Sequence, residues 1–218
     1  MPSKRTRVRR APARGIYDRE TIDAILDEGL VAHLGFVEGG QPYVIPTLYA
    51  RVGDVVYVHG SAASRAVREL SGGIAACLTV TLVDGIVLAR SAFNHSMNYR
   101  SVVVLGTCRR VGPRETEEAL EAFTERLVPG RWDEVRAPNR KELKATHVLG
   151  MDLEECSAKV RGGPPVDDAA DHDLPVWAGE IPLRTAAGTP VPDPKLAEGI
   201  QPSEAVEAWS SGPGRRPG

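Results

Sequence analysis

The stretch VAHLGFVEGGQPYVIPTLYARVGDVVYVHG, residues 31–60, decides the fold. Val31 to Val37, Tyr43 to Val52 and Val55 to His59 are short runs rich in β-branched and aromatic residues. Between them stand the turn formers Glu38-Gly39-Gly40-Gln41-Pro42 and Gly53-Asp54. Runs of this length and chemistry, punctuated by Gly, Pro and Asp, predict an antiparallel meander. Pro46 has no N–H to give to a ladder, so it marks a strand edge, a bulge or a bend facing a ligand.

The flanks extend the pattern. Upstream, Asp18 predicts an N-cap for a short helix with Ile22, Ile25 and Leu26 on one face and Gly29 as its stop. Downstream, Ser64 to Ser71 reads as a brief helix closed by Gly72-Gly73. Ile74 to Val83 and Ile86 to Ala92 then flank Asp84-Gly85, a dipeptide that predicts a two-residue hairpin turn. Tyr99 to Val111 reads as a long strand, and Pro113 opens a helix with Leu120, Phe123 and Leu127 on one face. A helical piece at Lys141 to Ala145 leads to a last strand near Val148 to Glu154. Six or so strands joined by tight turns, with few helices and no βαβ unit, predict a mainly β protein built as a small barrel.

Composition bounds the rest. A hydrophobic fraction of 42% with 26% charged residues is ordinary for a globular domain, and a net charge of -2 gives no reason to expect nucleic acid or an anionic membrane as partner. Lys4, Arg5, Arg7, Arg9, Arg10 and Arg14 crowd the start without an acid, so residues 1–15 read as a disordered basic tail rather than a secretory signal, which would need an apolar segment. Ten of the seventeen prolines lie beyond Gly162. Residues 164–218 are therefore expected to wrap the barrel, or a partner subunit, in extended form, with a disordered end from Ser210, leaving 16–163 as the folded domain. Cys77, Cys108 and Cys156 lack CxxC spacing and fit reduced thiols in the cytoplasm. The five histidines show no metal-ligand spacing, and no metal site, P-loop, GxSxG elbow or GxGxxG turn is present.

Three clusters carry polar chemistry. In Val55-Val56-Tyr57-Val58-His59-Gly60-Ser61-Ala62-Ala63-Ser64-Arg65 a strand turns through small residues into a helix start. Unpaired helix N–H groups, a hydroxyl from Ser61 or Ser64, and the forked donor of Arg65 would suit a phosphate. Simple capping by Ser64 beside a solvated Arg65 explains the same residues. Ser91-Ala92-Phe93-Asn94-His95-Ser96-Met97-Asn98-Tyr99-Arg100-Ser101 reads either as a functional connection between strands or as a surface loop. Ser157-Ala158-Lys159-Val160-Arg161, before Gly162-Gly163-Pro164-Pro165, is an anion anchor or a basic strand end.

Taken together, Gln41-Pro42-Tyr43-Val44-Ile45-Pro46, Val56-Tyr57-Val58-His59-Gly60 with Ser64-Arg65, Asn98-Tyr99-Arg100-Ser101-Val102, and Ser157 to Pro165 resemble the flavin-nucleotide-binding branch of the pyridoxamine 5'-phosphate oxidase-like proteins. The segment Leu174-Pro175-Val176-Trp177-Ala178-Gly179-Glu180-Ile181-Pro182-Leu183 also resembles that branch, so the likeness runs from about Gly15 to Leu183. It implies a six-stranded antiparallel split barrel, a homodimer, and FMN in two equivalent grooves between subunits. By similarity Ser64 and Arg65 hold the phosphate, His59, Gly60 and Ser61 lie beside the ribityl chain or ring, and Tyr57 and Val58 of the same strand are cofactor-binding. Pro46 and Thr47 would lie under the flavin. Asn98, Tyr99, Arg100 and Ser101 flank the groove or reach it from the partner, and Lys159 and Arg161 are second anchors. Relatives that confer nitroimidazole resistance carry a histidine in a motif similar to that of His59, the candidate for proton delivery. True pyridoxamine phosphate oxidases grip their substrate with a C-terminal arginine and histidine that have no counterpart here. The resemblance thus implies an FMN-dependent oxidoreductase acting on a small molecule other than vitamin B6. Three other functions are compatible: a non-catalytic flavin carrier, a haem binder with His59 or His95 as axial ligand, and a reductase using the deazaflavin F420.

Overall fold

Asp18 does cap a helix. In the computed structural model, which describes residues 3–212, its carboxylate accepts the Thr21 N–H at 2.8 Å and starts α1 (Arg19–Glu28). Ile22, Ile25 and Leu26 are buried beneath it. At the other end Arg126 donates to the carbonyls of Leu26, Asp27 and Gly29. A cation there satisfies acceptors that the last helical turn leaves open and opposes the negative end of its dipole.

The strands follow as β1 (Gly15–Ile16), β2 (Val31–Glu38), β3 (Gln41–Val52), β4 (Val55–Ser61), β5 (Ala75–Leu88), β6 (Ser96–Thr107), β7 (Arg109–Arg110), β8 (Thr146–Asp152), β9 (Cys156–Arg161) and β10 (Gly179–Pro182). The remaining helices are α2 (Arg65–Ser71), α3 (Pro113–Leu127), α4 (Arg140–Ala145) and α5 (Glu204–Ser211). The sheet runs β1-β9-β6-β5-β2-β3-β4-β8-β7, with β10 added to β5, and every pairing is antiparallel. β8 and β9 are consecutive in the chain yet sit near opposite ends of this order, so the sheet must roll up. The Leu105 N–H donates to the Glu155 carbonyl at 2.8 Å, drawing the turn between them onto β6. The result is the mainly β, antiparallel split barrel, with ten strands among the described residues instead of six; two of the ten are two residues long.

Alternation along the strands sorts the core. Ala32, Leu34, Phe36, Leu78, Val80, Val102, Val104 and Ala158 point into the barrel with Tyr49, Val56 and Val58. A second cluster lies outside it, where Ala119 and Phe123 of α3 cover Ala50, Tyr57 and Val148. The Tyr57 hydroxyl donates to Glu115 at 2.8 Å, and burial raises its pKa to about 12.

Asp84-Gly85 corrects the hairpin expectation. β5 runs unbroken past it, with Val83 opposite Tyr99 and Gly85 opposite Asn98, so Asp84 is the extra residue of a β-bulge. β6 supplies the partner on both sides, which removes any need for the chain to turn. A Cβ on Gly85 would lie 3.0 Å from the Ile181 carbonyl oxygen, so glycine serves the close approach of β10. At the start of the chain, where disorder was expected, Thr6 is buried, the Val8 N–H donates to the Tyr17 hydroxyl at 2.9 Å, and Arg5 pairs with Glu155. Ser210 and Ser211, expected in a disordered end, belong to α5; the rest of that expectation, residues 213–218, lies outside the described residues. Among the described residues no helix is long and apolar enough to cross a membrane.

Candidate functional site

β3 and β4 share only part of their length. Their pairing runs from Val52 opposite Val55 to Tyr49 opposite Val58 and stops there. β3 continues to Gln41 with β2 as partner, while His59, Gly60 and Ser61 of β4 pair with Val148, His147 and Thr146 of β8. The gap left where the two strands part is the candidate cleft. Pro42 and Pro46 occupy alternate positions in step on β3, so their missing N–H groups face the side that β4 has left and β2 keeps its ladder. This is the strand edge that Pro46 announced. Val44, Ile45 and Pro46 are exposed on this wall, and Thr47 is half-buried with its hydroxyl on the Leu48 carbonyl at 3.1 Å.

The opposite wall is built by the turn after β4. The Ser61 hydroxyl accepts the Ala63 N–H at 3.2 Å, the Ser61 carbonyl accepts the Ser64 N–H at 2.9 Å, and the Ala145 carbonyl accepts the Ala62 N–H at 3.0 Å. Three bonds fix this small-residue turn. Ser64 is the N-cap of α2, yet its hydroxyl makes no capping bond, so the capping explanation lacks its contact. Arg65 lies with its guanidinium 4.4 Å from the Tyr43 ring centroid and Nε 3.2 Å from Glu38, while over half of its side chain stays exposed. Tyr43 in turn stacks on Phe36 at 5.5 Å. Cation, ring and carboxylate hold the guanidinium at the mouth of the cleft and leave part of its donor fork open. Gly60 has a steric reason to be glycine: a Cβ there would lie 2.8 Å from Val67 Cγ2 of α2. His59 stands edge-on to Phe123 at 4.5 Å, and burial of its ring lowers its pKa. One side of the residue remains open to solvent.

The expected site residues thus fall into two groups. Pro46, Thr47, His59, Gly60, Ser61, Ser64 and Arg65 border the cleft. Tyr57 and Val58 do so only through the backbone, because their side chains are buried on opposite faces of β4. α3 covers one face of the strand and the barrel interior the other. Asn98, Tyr99, Arg100 and Ser101 lie on β6, three strands from β3, and Lys159 and Arg161 on β9, four strands away. At about 4.8 Å per strand these lie roughly 14 and 19 Å away along the curved sheet of one chain.

Several members of the second group are already committed. Arg100 donates to Asp84 at 3.0 and 2.7 Å and to Glu28 at the end of α1, and these carboxylates raise its pKa further. As a cation for a cofactor it is corrected to a tie between α1, the bulge and β6. Arg161 is buried, with Asn98, the Gly163 carbonyl at 3.0 Å and the Pro164 carbonyl at 3.2 Å as acceptors, and Asn98 donates onward to Glu180 of β10. Tyr99, Ser101 and Lys159 remain on the outer sheet face, in register with Val83 and Thr81 of β5. Glu38, Tyr43 and Phe123, which position Arg65 and His59, went unnoticed in the sequence. A signal for Tyr43 existed, since the two-glycine turn places it opposite Phe36.

A family model described as pyridoxamine 5'-phosphate oxidase matches residues 18–160. The chain belongs to this family. Among solved structures, the flavocytochrome Anf3 of Azotobacter vinelandii is 42% identical, with a TM-score of 0.90 over 95% of this chain and 97% of that one. The FAD and haem binding protein of Mycobacterium smegmatis is 36% identical, with a TM-score of 0.87 over 90% of this chain and 97% of that one. A 5-nitroimidazole antibiotic resistance protein of Bacteroides thetaiotaomicron, at 20% identity and a TM-score of 0.57 over 67% of this chain and 86% of that one, shares the family fold. No curated protein matches the chain.

Proposed function

We propose that the chain binds a flavin nucleotide in the cleft between β3 and β4 and serves as an oxidoreductase for a small molecule. The observation that carries this is the parting of the two strands at Tyr49 and Val58, with a half-free Arg65 at the opening. An apolar wall opposite a fixed turn with a free hydroxyl and an open guanidinium fits a flat ring whose chain ends in a phosphate. Arg65 and Ser64 bind the phosphate, Ser61 and Gly60 pass the ribityl chain, and Pro46 and Thr47 support the ring. His59, whose pKa burial lowers, is placed to hold or release a proton at a ring nitrogen. A bound flavin supplies the electron and hydride transfer itself.

The flavin-ribityl-phosphate part is common to FMN, which the motifs imply, and FAD, named for the Mycobacterium smegmatis relative. That relative favours the dinucleotide, and two relatives spanning nearly the whole chain favour haem as a second cofactor. The working unit in this reading is a homodimer. Val31, Val37, Val44 and Val83 are 50%, 56%, 66% and 45% exposed on the sheet's outer face, an apolar surface that a second copy would cover.

The test is the absorbance spectrum of the purified protein, with chromatography of the released cofactor and sedimentation of the loaded form. Flavin bands with FAD or FMN in the extract support the reading, and a deazaflavin would change the cofactor. A colourless protein that takes up neither FMN nor FAD refutes it. Turnover of NAD(P)H with a panel of acceptors separates an enzyme from a carrier, and a flavin-loaded monomer refutes the dimer.

A further inference from the structure

The flavin cleft leaves the Ser91–Met97 connection and the outer end of β5 unexplained. His95 is exposed there, with Nδ1 2.9 Å from the Ser91 carbonyl oxygen. A carbonyl can only accept, so Nδ1 carries the proton and Nε2 keeps its lone pair for a ligand. This is the arrangement by which proteins orient a metal-binding imidazole. No other histidine among the described residues has a hydrogen bond that fixes its tautomer: His59 rests on Phe123, and His147 has a buried Nδ1 without a partner.

Two residues further on, Met97 begins an exposed apolar row. Met97 of β6, Ile86 of β5 and Ile181 of β10 are in register across three adjacent strands and are 50%, 41% and 44% exposed. Phe93, two residues before His95, is 95% exposed. The connection is held in place: the Asn94 N–H donates to the Ser91 carbonyl at 3.2 Å, and the adjoining Arg90 donates to the buried carboxylate of Asp167. An oriented imidazole next to an exposed apolar row suits a b-type haem, since the porphyrin needs apolar contact and its iron an axial nitrogen.

We propose that His95 is the axial ligand of a haem that lies against Phe93, Met97, Ile86 and Ile181. This rests on the haem part of the function proposed above and adds the ligand and the surface. The occupant is argued from the oriented Nε2, which an apolar partner protein would not need.

The test uses the full chain, titrated with hemin and followed by the Soret band, with flavin content and circular dichroism recorded in parallel. The unaltered protein should give a shifted Soret band at one haem per chain. His95→Ala should weaken binding at least tenfold and lose the low-spin spectrum, and added imidazole should restore that spectrum. Ile181→Asp should weaken binding with the ligand still present. His33→Ala and His172→Ala should keep the unaltered spectrum. A His95→Ala protein with unchanged band and affinity, or loss of the band in His59→Ala instead, overturns the ligand assignment while the haem reading stands. Failure of the unaltered protein to take hemin overturns both, and its flavin content then reports separately on the cleft.

Discussion

Adding one methyl group at Gly60 tests whether the cleft is built as described. The new Cβ would stand 2.8 Å from Val67 Cγ2, where apolar carbons settle at about 3.5–4.0 Å. Either Val67 changes rotamer in a buried site, or α2 retreats by about 1 Å. Retreat carries Arg65, the first residue of α2, away from Tyr43 and Glu38. Overpacking of this kind costs about 1–3 kcal/mol, so Gly60→Ala should lower unfolding stability by that amount and weaken flavin binding too. Val67→Ala alone removes two methyl-sized groups and should cost about 1.6 kcal/mol or somewhat more. The double variant makes room for the added methyl, so its cost should fall short of the sum by about 1 kcal/mol or more. Urea unfolding of the three variants gives the coupling, and flavin titration shows whether Arg65 has moved. Additive costs, or a Gly60→Ala protein as stable as its parent, would refute the packing argument.

Arg65→Ala should weaken flavin binding by about 1.5–3 kcal/mol, the range for hydrogen bonds to charged groups, with little change in stability; titration of the apoprotein checks it, and unchanged affinity removes Arg65 from the phosphate site. Arg100→Ala should do the reverse, lowering stability by about 1–3 kcal/mol because Glu28 and Asp84 are left facing each other, with flavin affinity intact in the same titration. Tyr57 sets an alkaline limit. Its pKa rises from 10.0 to about 12 on folding, so the folded state holds its proton where the unfolded chain has lost it, and stability falls as pH climbs through that window. Tyr57→Phe should flatten that part of a pH series of urea melts.

The barrel was legible wherever local chemistry and long-range pairing ask for the same thing. Residues 31–60 alternate against one core, and their turns contain glycines at the positive φ that such turns use: 56° at Gly39, 83° at Gly40 and 56° at Gly53. Pro46 was legible for the same reason, since a residue without an N–H belongs on an open edge. Asp84-Gly85 was not, because the same dipeptide serves a hairpin or a bulge, and the choice is made by β6, which lies beyond it in the chain. Tyr57 and Val58 belong to a motif that does border the cleft, but whether a strand residue faces a cofactor or a helix depends on α3, more than fifty residues downstream. Arg100 reads as a free cation until Glu28 and Asp84, 72 and 16 residues away, are folded onto it. The basic start of the chain misled through composition, which records charge and not the single threonine that the fold buries.

The division of the expected site into two groups has a geometric counterpart in the sheet order. Counting outward from the line between β5 and β2, β6 lies as far on one side as β3 on the other, and β9 as far as β4. Alternation puts Tyr99, Ser101 and Lys159 on the outer face together with Pro46 and the exposed valines. A two-fold axis parallel to the strands along that line would set this face against its own copy, so that β6 of one subunit crosses over β3 of the other. The residues some 14 Å apart in one chain would then meet between chains without any strand moving. The same operation would yield two equivalent clefts and would cover the apolar surface that a monomer exposes. Arg100, of opposite parity, would stay behind the sheet as a tie, Arg161 is held by Asn98 and the Gly163 and Pro164 carbonyls, and Ser101 and Lys159 would be the groups presented to the neighbouring cofactor.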